Sequence, residues 1–300
     1  MGKLRVQDVA KELGVPVKKI REVLKEWGIE KGNFAYLDEE DIGHADITTE
    51  GVCRGESARA VVVAKEGGVL AGVGFALRVF ELLGSVKLIK SLRDGEEFSK
   101  GDEVLVLEGP SDVLLKGERV ALNLMQRLSG IATVVRRYVK ALEGTNIKLL
   151  DTRKTTPGMR YFEKYAVRIG GGVNHRFGLY DMVLIKDNHK AVAGSIREAV
   201  RRVKEGLSPA YKVEVEVENL QELEEALECG VDMVLLDNFS PKEVREAVKI
   251  TKGRILVEVS GNINLENIKD YAIEGVHFIS SGSITHSARW LDLSMSVYRL

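Results

Sequence analysis

The chain has 300 residues, 44% of them hydrophobic and 30% charged, with a formal net charge of −1. That length accommodates one barrel or two domains, and the neutral balance gives no overall pull toward nucleic acid or membrane. Two cysteines, Cys53 and Cys229, exclude a disulfide framework or a thiolate metal site. The early residues are charged throughout, without a signal-peptide core, and no apolar run approaches the roughly 18 residues of a bilayer span, so a cytoplasmic location is expected.

Residues 6–28 read as two short amphipathic helices, VQDVAKELG and VKKIREVLKEWG, joined around Val15-Pro16. The expectation is a helical arm that packs on its own domain or on a partner subunit. A DNA-reading helix-turn-helix is the remote alternative. Residues 58–115 change character. ARAVVVAKEGGVLAGVG alternates and leads into the helix FALRVFELLG, while VKLIKSL and DEVLVLEGP read as strands with turns at Asp94-Gly95 and Gly101-Asp102. Gly72-x-Gly74 lacks the third glycine of a dinucleotide fingerprint. This half predicts an α+β domain. A helix follows from about Lys116 to Leu142, with Val120, Leu124, Leu128 and Ile131 on one face.

From residue 147 strands and helices alternate. The strand candidates are IKLLDT, MVLIKD, YKVEVEV, MVLLD, RILVEVS and HFISSG, separated by helical stretches such as NLQELEEALECG. This alternation predicts a parallel sheet closing into a (β/α) barrel, with a doubly wound open sheet as the alternative. Nearly every strand ends on a polar residue: Asp151, Lys186, Glu216, Asp237, Ser260 and the Ser281-Gly282 pair. The last four tips recur every twenty-odd residues, the pattern of a barrel active site. Period-2 alternation puts Glu214, Glu216 and Glu218 on one face. Three carboxylates facing a barrel interior need a cation, sugar hydroxyls or basic partners; the bland alternative is an edge strand with its acids in water.

The segment Asp151–His189 concentrates seven Lys/Arg against four acids. Cations interleaved with Gly and Thr suit a small, multiply anionic ligand, since arginine binds carboxylate or phosphate with two parallel hydrogen bonds. Arg153, Lys154, Arg176 and Lys186 with His175 are the candidates. Arg160, Lys164 and Arg168 sit on a helical stretch and are expected in solvent. Ser260-Gly261 and Ser281-Gly282 open two consecutive strand-to-helix turns, where backbone N–H groups bind phosphate. Glu216 and Asp237 could hold Mg2+ through water or accept from ribose hydroxyls. There is no G-x-S-x-G, and His44, His189 and His277 lack metal-ligand spacing.

The run DTRKTTPGMR…KYAV…GGGVNHRFGLYDMVLIKDNH resembles the quinolinate phosphoribosyltransferase family. EEDIG…DITT, ERVALNLMQRLSGIAT, VEVEVEN, LLDNFSP, EVSGNIN and ISSGSITHS extend the likeness over residues 38–290. Gly43-His44-Ala45-Asp46 departs from the commoner Gly-x-Gly-Asp. The resemblance implies an α/β fold with an N-terminal α/β sandwich domain (1–124) and a C-terminal open (β/α) barrel (125–287), the tail 288–300 packing back on the first. It implies phosphoribosyl transfer from phosphoribosyl pyrophosphate (PRPP) to quinolinate with decarboxylation, in a Mg2+-assisted homodimer with shared sites; larger assemblies, including hexamers, also occur. A related enzyme acting on nicotinate is the alternative. It implies that Arg119, from the neighbouring subunit, with Arg153, His175 and Arg176, binds quinolinate. Lys154 and Lys186 serve substrate carboxylate and pyrophosphate, and Glu216 and Asp237 are the ribose and Mg2+ acids. Ser260, Gly261, Ser281 and Gly282 form the 5′-phosphate cradle. No nucleic acid or membrane partner is expected.

Overall fold

The structure is a computed structural model that describes residues 41–42 and 45–300. The arm helices expected at 6–28, and His44, lie outside the described residues. The chain divides into two compact units. One takes the described residues up to Arg127 together with Leu291–Leu300; the other is Leu128–Trp290.

In the first unit β1 (Ser57–Ala64), β3 (Lys87–Ser91), β5 (Glu103–Pro110) and β12 (Leu293–Arg299) form an antiparallel sheet in the order β12-β1-β5-β3. Alternation decides its faces: Ala58, Ala60, Val62 and Ala64 are buried, and the residues between them are exposed or half-buried. β2 (Gly68–Val69) and β4 (Glu97–Phe98) make a two-stranded ribbon. The helix Val73–Leu83 buries Val73, Ala76, Val79 and Phe80. The Phe80 ring lies where a side chain at Gly117, on the helix Ser111–Ala141, would need room. The C-terminal strand β12 pairs with β1 from Ala58 to Ala64.

The second unit holds six parallel strands: β6 (Lys148–Leu150), β7 (Val183–Ile185), β8 (Val213–Val217), β9 (Met233–Asp237), β10 (Leu256–Ser260) and β11 (Phe278–Ser280). Their order is β6-β11-β10-β9-β8-β7, and a single parallel bridge joins Leu150 to Val173. The first strand lies beside the last. A doubly wound open sheet does not place them so; a barrel does, here open between Val173 and β7. All six expected strands are present.

Register fixes what faces the lumen. Paired residues share a face, so Leu184, Glu214, Met233 and Leu256 lie on one side together with Glu216, Leu235 and Glu258, and with Asp237 and Ser260 at the tips. The intervening Val213, Val215, Val217, Val234, Leu236, Val257 and Val259 are buried on the other face, toward the helical layer. Local chemistry starts those helices: Ser195 and Asn219 cap Ile196–Gly206 and Leu220–Glu228, and Ser240 with Glu243 forms a capping box ahead of Pro241–Thr251. Among the described residues no helix is long and apolar enough to cross a membrane.

Candidate active site

Sheet order converts scattered sequence positions into a row. Read from β6 to β7, the strands lead into Lys154, Ser281-Gly282, Ser260-Gly261, Asp237, Glu216 and Lys186. Two Ser-Gly turns and two carboxylates are thus flanked by a lysine at each end. All lie at or just beyond the C-terminal ends of parallel strands, where a (β/α) barrel keeps its site.

On the β7 side Lys186 Nζ donates to Glu216 Oε2 at 2.6 Å. The lysine side chain is 40% exposed and the glutamate 9%, so the lysine keeps access to an incoming anion. Burial pushes the Asp237 carboxyl above its ordinary range, and the neighbouring Glu216 charge adds to that; Lys186 and Lys154 pull the other way. Two hard-oxygen donors whose charge Lys186 and Lys154 only partly offset fit Mg2+. The Asp237 Oδ2 also accepts from Asn238 Nδ2 at 2.7 Å.

The two turns are tightly built. Gly261 has φ +97°, and a Cβ there would come within 2.3 Å of Asn238 Oδ1 and 2.7 Å of Asn238 N. At Gly282 a Cβ would meet Lys154 Cδ at 2.9 Å. Only glycine fits at 261; at 282, where φ is −73°, a larger residue would push the Lys154 side chain aside. Ser281 Oγ donates to Ile263 O, and Ser283 Oγ is shared between Ser281 Oγ and Tyr138 OH. Thr285 Oγ1 donates to Lys154 O at 2.8 Å, which ties the lysine's backbone to the second turn.

The cation-rich loops hang on a buried ion pair between Asp151, a predicted strand tip, and Lys164, expected in solvent. Lys164 is 1% exposed. Its Nζ donates to Asp151 Oδ1 at 2.5 Å and to His175 O at 3.0 Å, while Asp151 Oδ1 accepts His175 N at 2.8 Å and Oδ2 accepts Asn174 Nδ2 at 2.7 Å. The expectation of a solvated Lys164 is therefore wrong, because the helix Arg160–Gly170 turns this face inward with Glu163, Ala166 and Val167. Burial pushes Asp151 up and Lys164 down, and their mutual attraction opposes both shifts. The pair holds His175 by its N–H and its C=O. Arg160 is also structural: it bonds Thr155 Oγ1, Phe177 O and Arg153 O. Arg168 is exposed, beside the Tyr165 ring. Arg176 is buried, donates to Met182 O, and is lowered by burial and then by the Arg153 charge beside it.

Below the row lies a second acid group. His175 Nε2 is 3.2 Å from Glu214 Oε2 and 3.4 Å from Glu258 Oε2. Neither approach is aligned as a hydrogen bond, and all four carboxylate oxygens are buried without such a partner. Burial alone would lower the imidazole, but the two carboxylates outweigh it and push His175 up to about 10. Burial, then Glu258, pushes Glu214 up to about 7. The group as a unit holds protons more tightly than its members would in water. Among the described residues these three are the one set spaced to hold a metal ion. His175 Nδ1, however, accepts the Arg176 N–H at 2.6 Å, a contact that only the neutral ring makes and that therefore opposes the upward pull of the carboxylates. A neutral ring then carries its proton on Nε2, which suits a shared proton better than a metal.

The remaining candidates separate. Glu218 lies past the strand, exposed, with Lys190 Nζ between it at 3.5 Å and Glu222 at 2.7 Å. β8 is interior, not an edge, so the acids-in-water alternative fails for Glu214 and Glu216. Arg119 is exposed on the helix Ser111–Ala141 of the first unit. His277 Nδ1 accepts Val257 N, and His189 Nδ1 accepts Lys186 N. Sequence reasoning missed Glu258, Asn238 and Lys190. Glu258 was findable: it stands two residues before Ser260 and alternates with it as Glu214 does with Glu216.

Residues 46–129 match the family model of the quinolinate phosphoribosyl transferase N-terminal domain, and residues 131–296 that of its C-terminal domain. Residues 1–43 match the N-terminal region of translation initiation factor IF-2. The probable nicotinate-nucleotide pyrophosphorylase (carboxylating) of Bacillus subtilis is 47% identical over 259 residues, covering 86% of this chain and 90% of that one. Its namesake from Methanocaldococcus jannaschii is 45% identical over 271 residues, covering 87% and 94%. The crystal structure of NadC from Streptococcus pyogenes superposes with a TM-score of 0.85 at 42% identity, over 89% of this chain and 95% of that one.

Proposed function

The chain belongs to the quinolinate phosphoribosyltransferase family, making nicotinate mononucleotide, CO2 and pyrophosphate from quinolinate and PRPP in NAD biosynthesis, and we propose that the strand-tip row performs this reaction. The observation that supports the assignment is the order itself: cation, two phosphate turns, two acids, cation, on adjacent strands.

Both substrates are multiply anionic, so their approach needs fixed positive charge. Arg153 and Arg176 bind the quinolinate carboxylates, with Arg119 supplied by a neighbouring subunit. Both ring nitrogens of His175 are engaged within the chain, so its service to the acid substrate is to hold the backbone of Arg176. The Gly261 and Gly282 N–H groups, beside Ser260 and Ser281, take the 5′-phosphate; the Ser281 N–H itself is given to Leu150 O at 3.2 Å. Lys154 and Lys186 face the departing pyrophosphate, and Glu216 and Asp237 accept from ribose hydroxyls and tolerate the positive ring that develops as it leaves. Mg2+ held by Glu216 and Asp237, through water, would add neutralising charge at the pyrophosphate. The pyridine nitrogen attacks the anomeric carbon, so no protein nucleophile is required. The resulting pyridinium stabilises the electron pair left on the ring carbon as the adjacent carboxylate departs as CO2, and a proton from solvent then fills that position. The active form is a homodimer with shared sites, able to build a hexamer, in the cytoplasm.

The test offers quinolinate and nicotinate in parallel with PRPP and Mg2+ and measures CO2. Stoichiometric CO2 from quinolinate, with nicotinate inert, is expected; turnover of nicotinate without CO2 overturns the substrate assignment. Mixing Arg119→Ala with Lys154→Ala, each inactive alone, is expected to restore activity through hybrid dimers. No restoration overturns the shared site.

A further inference from the structure

We infer that Asn238 is a positioning residue for the reaction: its side-chain amide couples the Asp237 carboxylate to the Ser260-Gly261-Asn262 turn, and its left-handed backbone is retained for that purpose. The inference rests on the reading of Asp237 as the ribose and Mg2+ acid.

Three non-glycine residues among those described have positive φ, and two of them, Asn238 (φ 58°) and Asn262 (φ 52°), lie just past the tips of adjacent strands β9 and β10. Asparagine bears this conformation at less cost than most residues, yet still at a cost compared with glycine. What is gained is visible in the hydrogen bonds. Asn238 Nδ2 donates to Asp237 Oδ2 at 2.7 Å, and Asn238 Oδ1 accepts from Asn262 Nδ2 at 3.1 Å. Asn262 O accepts from Asn267 Nδ2, and Asn267 Oδ1 accepts Asn264 N. The direction of this relay is forced. A carboxylate only accepts, so the NH2 end of Asn238 must face Asp237 and its oxygen must face Asn262. Asn238 N donates to Ser260 O at 3.0 Å, which extends the β9–β10 ladder past its last pair, Asp237 with Ser260. The Asn238 amide then rests against the α-carbon of Gly261, in the space a side chain would take. One amide therefore fixes the acid's orientation and the turn's position together, and PRPP spans both.

The substitution that separates positioning from scaffolding is Asn238→Gly, because glycine relieves the backbone strain while deleting the amide. The expected result is a melting temperature at or above that of the unaltered chain, a KM for PRPP raised about tenfold, the worth of one hydrogen bond to a charged group, and a KM for quinolinate within about twofold. Asn262→Gly, which removes only the second link, is expected to raise the KM for PRPP by a smaller factor, about threefold. Asn238→Asp, which turns the donor into a second charge, is expected to do worse than Asn238→Gly. Asp237→Asn is measured beside them. If Asp237→Asn is impaired and Asn238→Gly keeps an unchanged KM for PRPP, the inference is overturned while the site reading stands. If Asn238→Gly lowers the melting temperature and raises both KM values alike, the residue is scaffolding and the inference is overturned. If Asp237→Asn is itself fully active, the site reading fails first.

Discussion

Glu214 and Glu216 are two residues apart on one strand, face the same lumen, and do opposite things. Glu216 meets a half-exposed lysine at the strand tip, a pair that an arriving anion can reach and rearrange. Glu214 is 0% exposed, its oxygens lack hydrogen bonds, and its company is another buried glutamate and a histidine. One step of the pleat separates a charge paired with an accessible lysine from charges locked in by burial. The same division holds among the lysines: Lys186 reaches out, while Lys164 is sealed against Asp151. Barrel depth, not residue type, decides whether an ionised side chain stays accessible or is sealed into the scaffold.

Four measurements would break or sharpen that contrast. Lys164→Met leaves the Asp151 charge buried and unpaired, and is expected to cost about 3–5 kcal/mol in urea unfolding; a loss under about 1 kcal/mol would mean that this depth is not truly dry. Glu216→Gln is expected to reverse the pattern, with stability nearly intact and kcat/KM down at least about 100-fold, as is typical for loss of a group stabilising developing charge. The deep cluster should also set the pH dependence of stability. His175 and Glu214 both hold protons more tightly folded than unfolded, so their contribution is complete at low pH. The Glu214 share is lost between its ordinary 4.5 and about 7, and the His175 share between 6.5 and about 10. Unfolding midpoints are therefore expected to fall as the pH rises through these windows, and Glu258→Gln to flatten the lower one; an unchanged slope in that variant would remove Glu258 as a cause. Smallest is Lys190→Ala. It deletes one buried end of a pair with Glu222 and is expected to cost about 1 kcal/mol, read by thermal melting.

Much of this molecule was legible in its sequence. The six strands of the second unit, their polar tips and the two Ser-Gly turns follow from alternation and spacing, because a parallel strand buried on both faces has little freedom to place a polar group anywhere but at its end or in the lumen. What escaped depends on partners far apart in the chain. Lys164 read as solvated because helical periodicity cannot say which face meets Asp151 thirteen residues earlier. Asn238 carried no motif; its meaning comes from Gly261, brought beside it only by the β9–β10 pairing. Glu258 stood in plain alternation and was passed over for the polar residue at the tip. Residues 6–28, expected as helices packing on a partner or a domain, fall within residues 1–43, which match a family model of their own, separate from the two that cover the enzyme.

The pairing of β6 with β11 bears on how the protein comes into being. Lys154 is made before the chain is little more than half synthesised, but the turn that anchors its backbone, Ser281 to Thr285, emerges near the end. The Asp151–Lys164 pair can hold the cation-rich loops early, but the contact from Thr285 to the Lys154 backbone waits until the final barrel strand is made. A nascent or clipped chain lacking that strand keeps most of its lysines and arginines yet has neither the β6–β11 seam nor the Thr285 contact to Lys154, so the proposed activity depends on docking of the last strand.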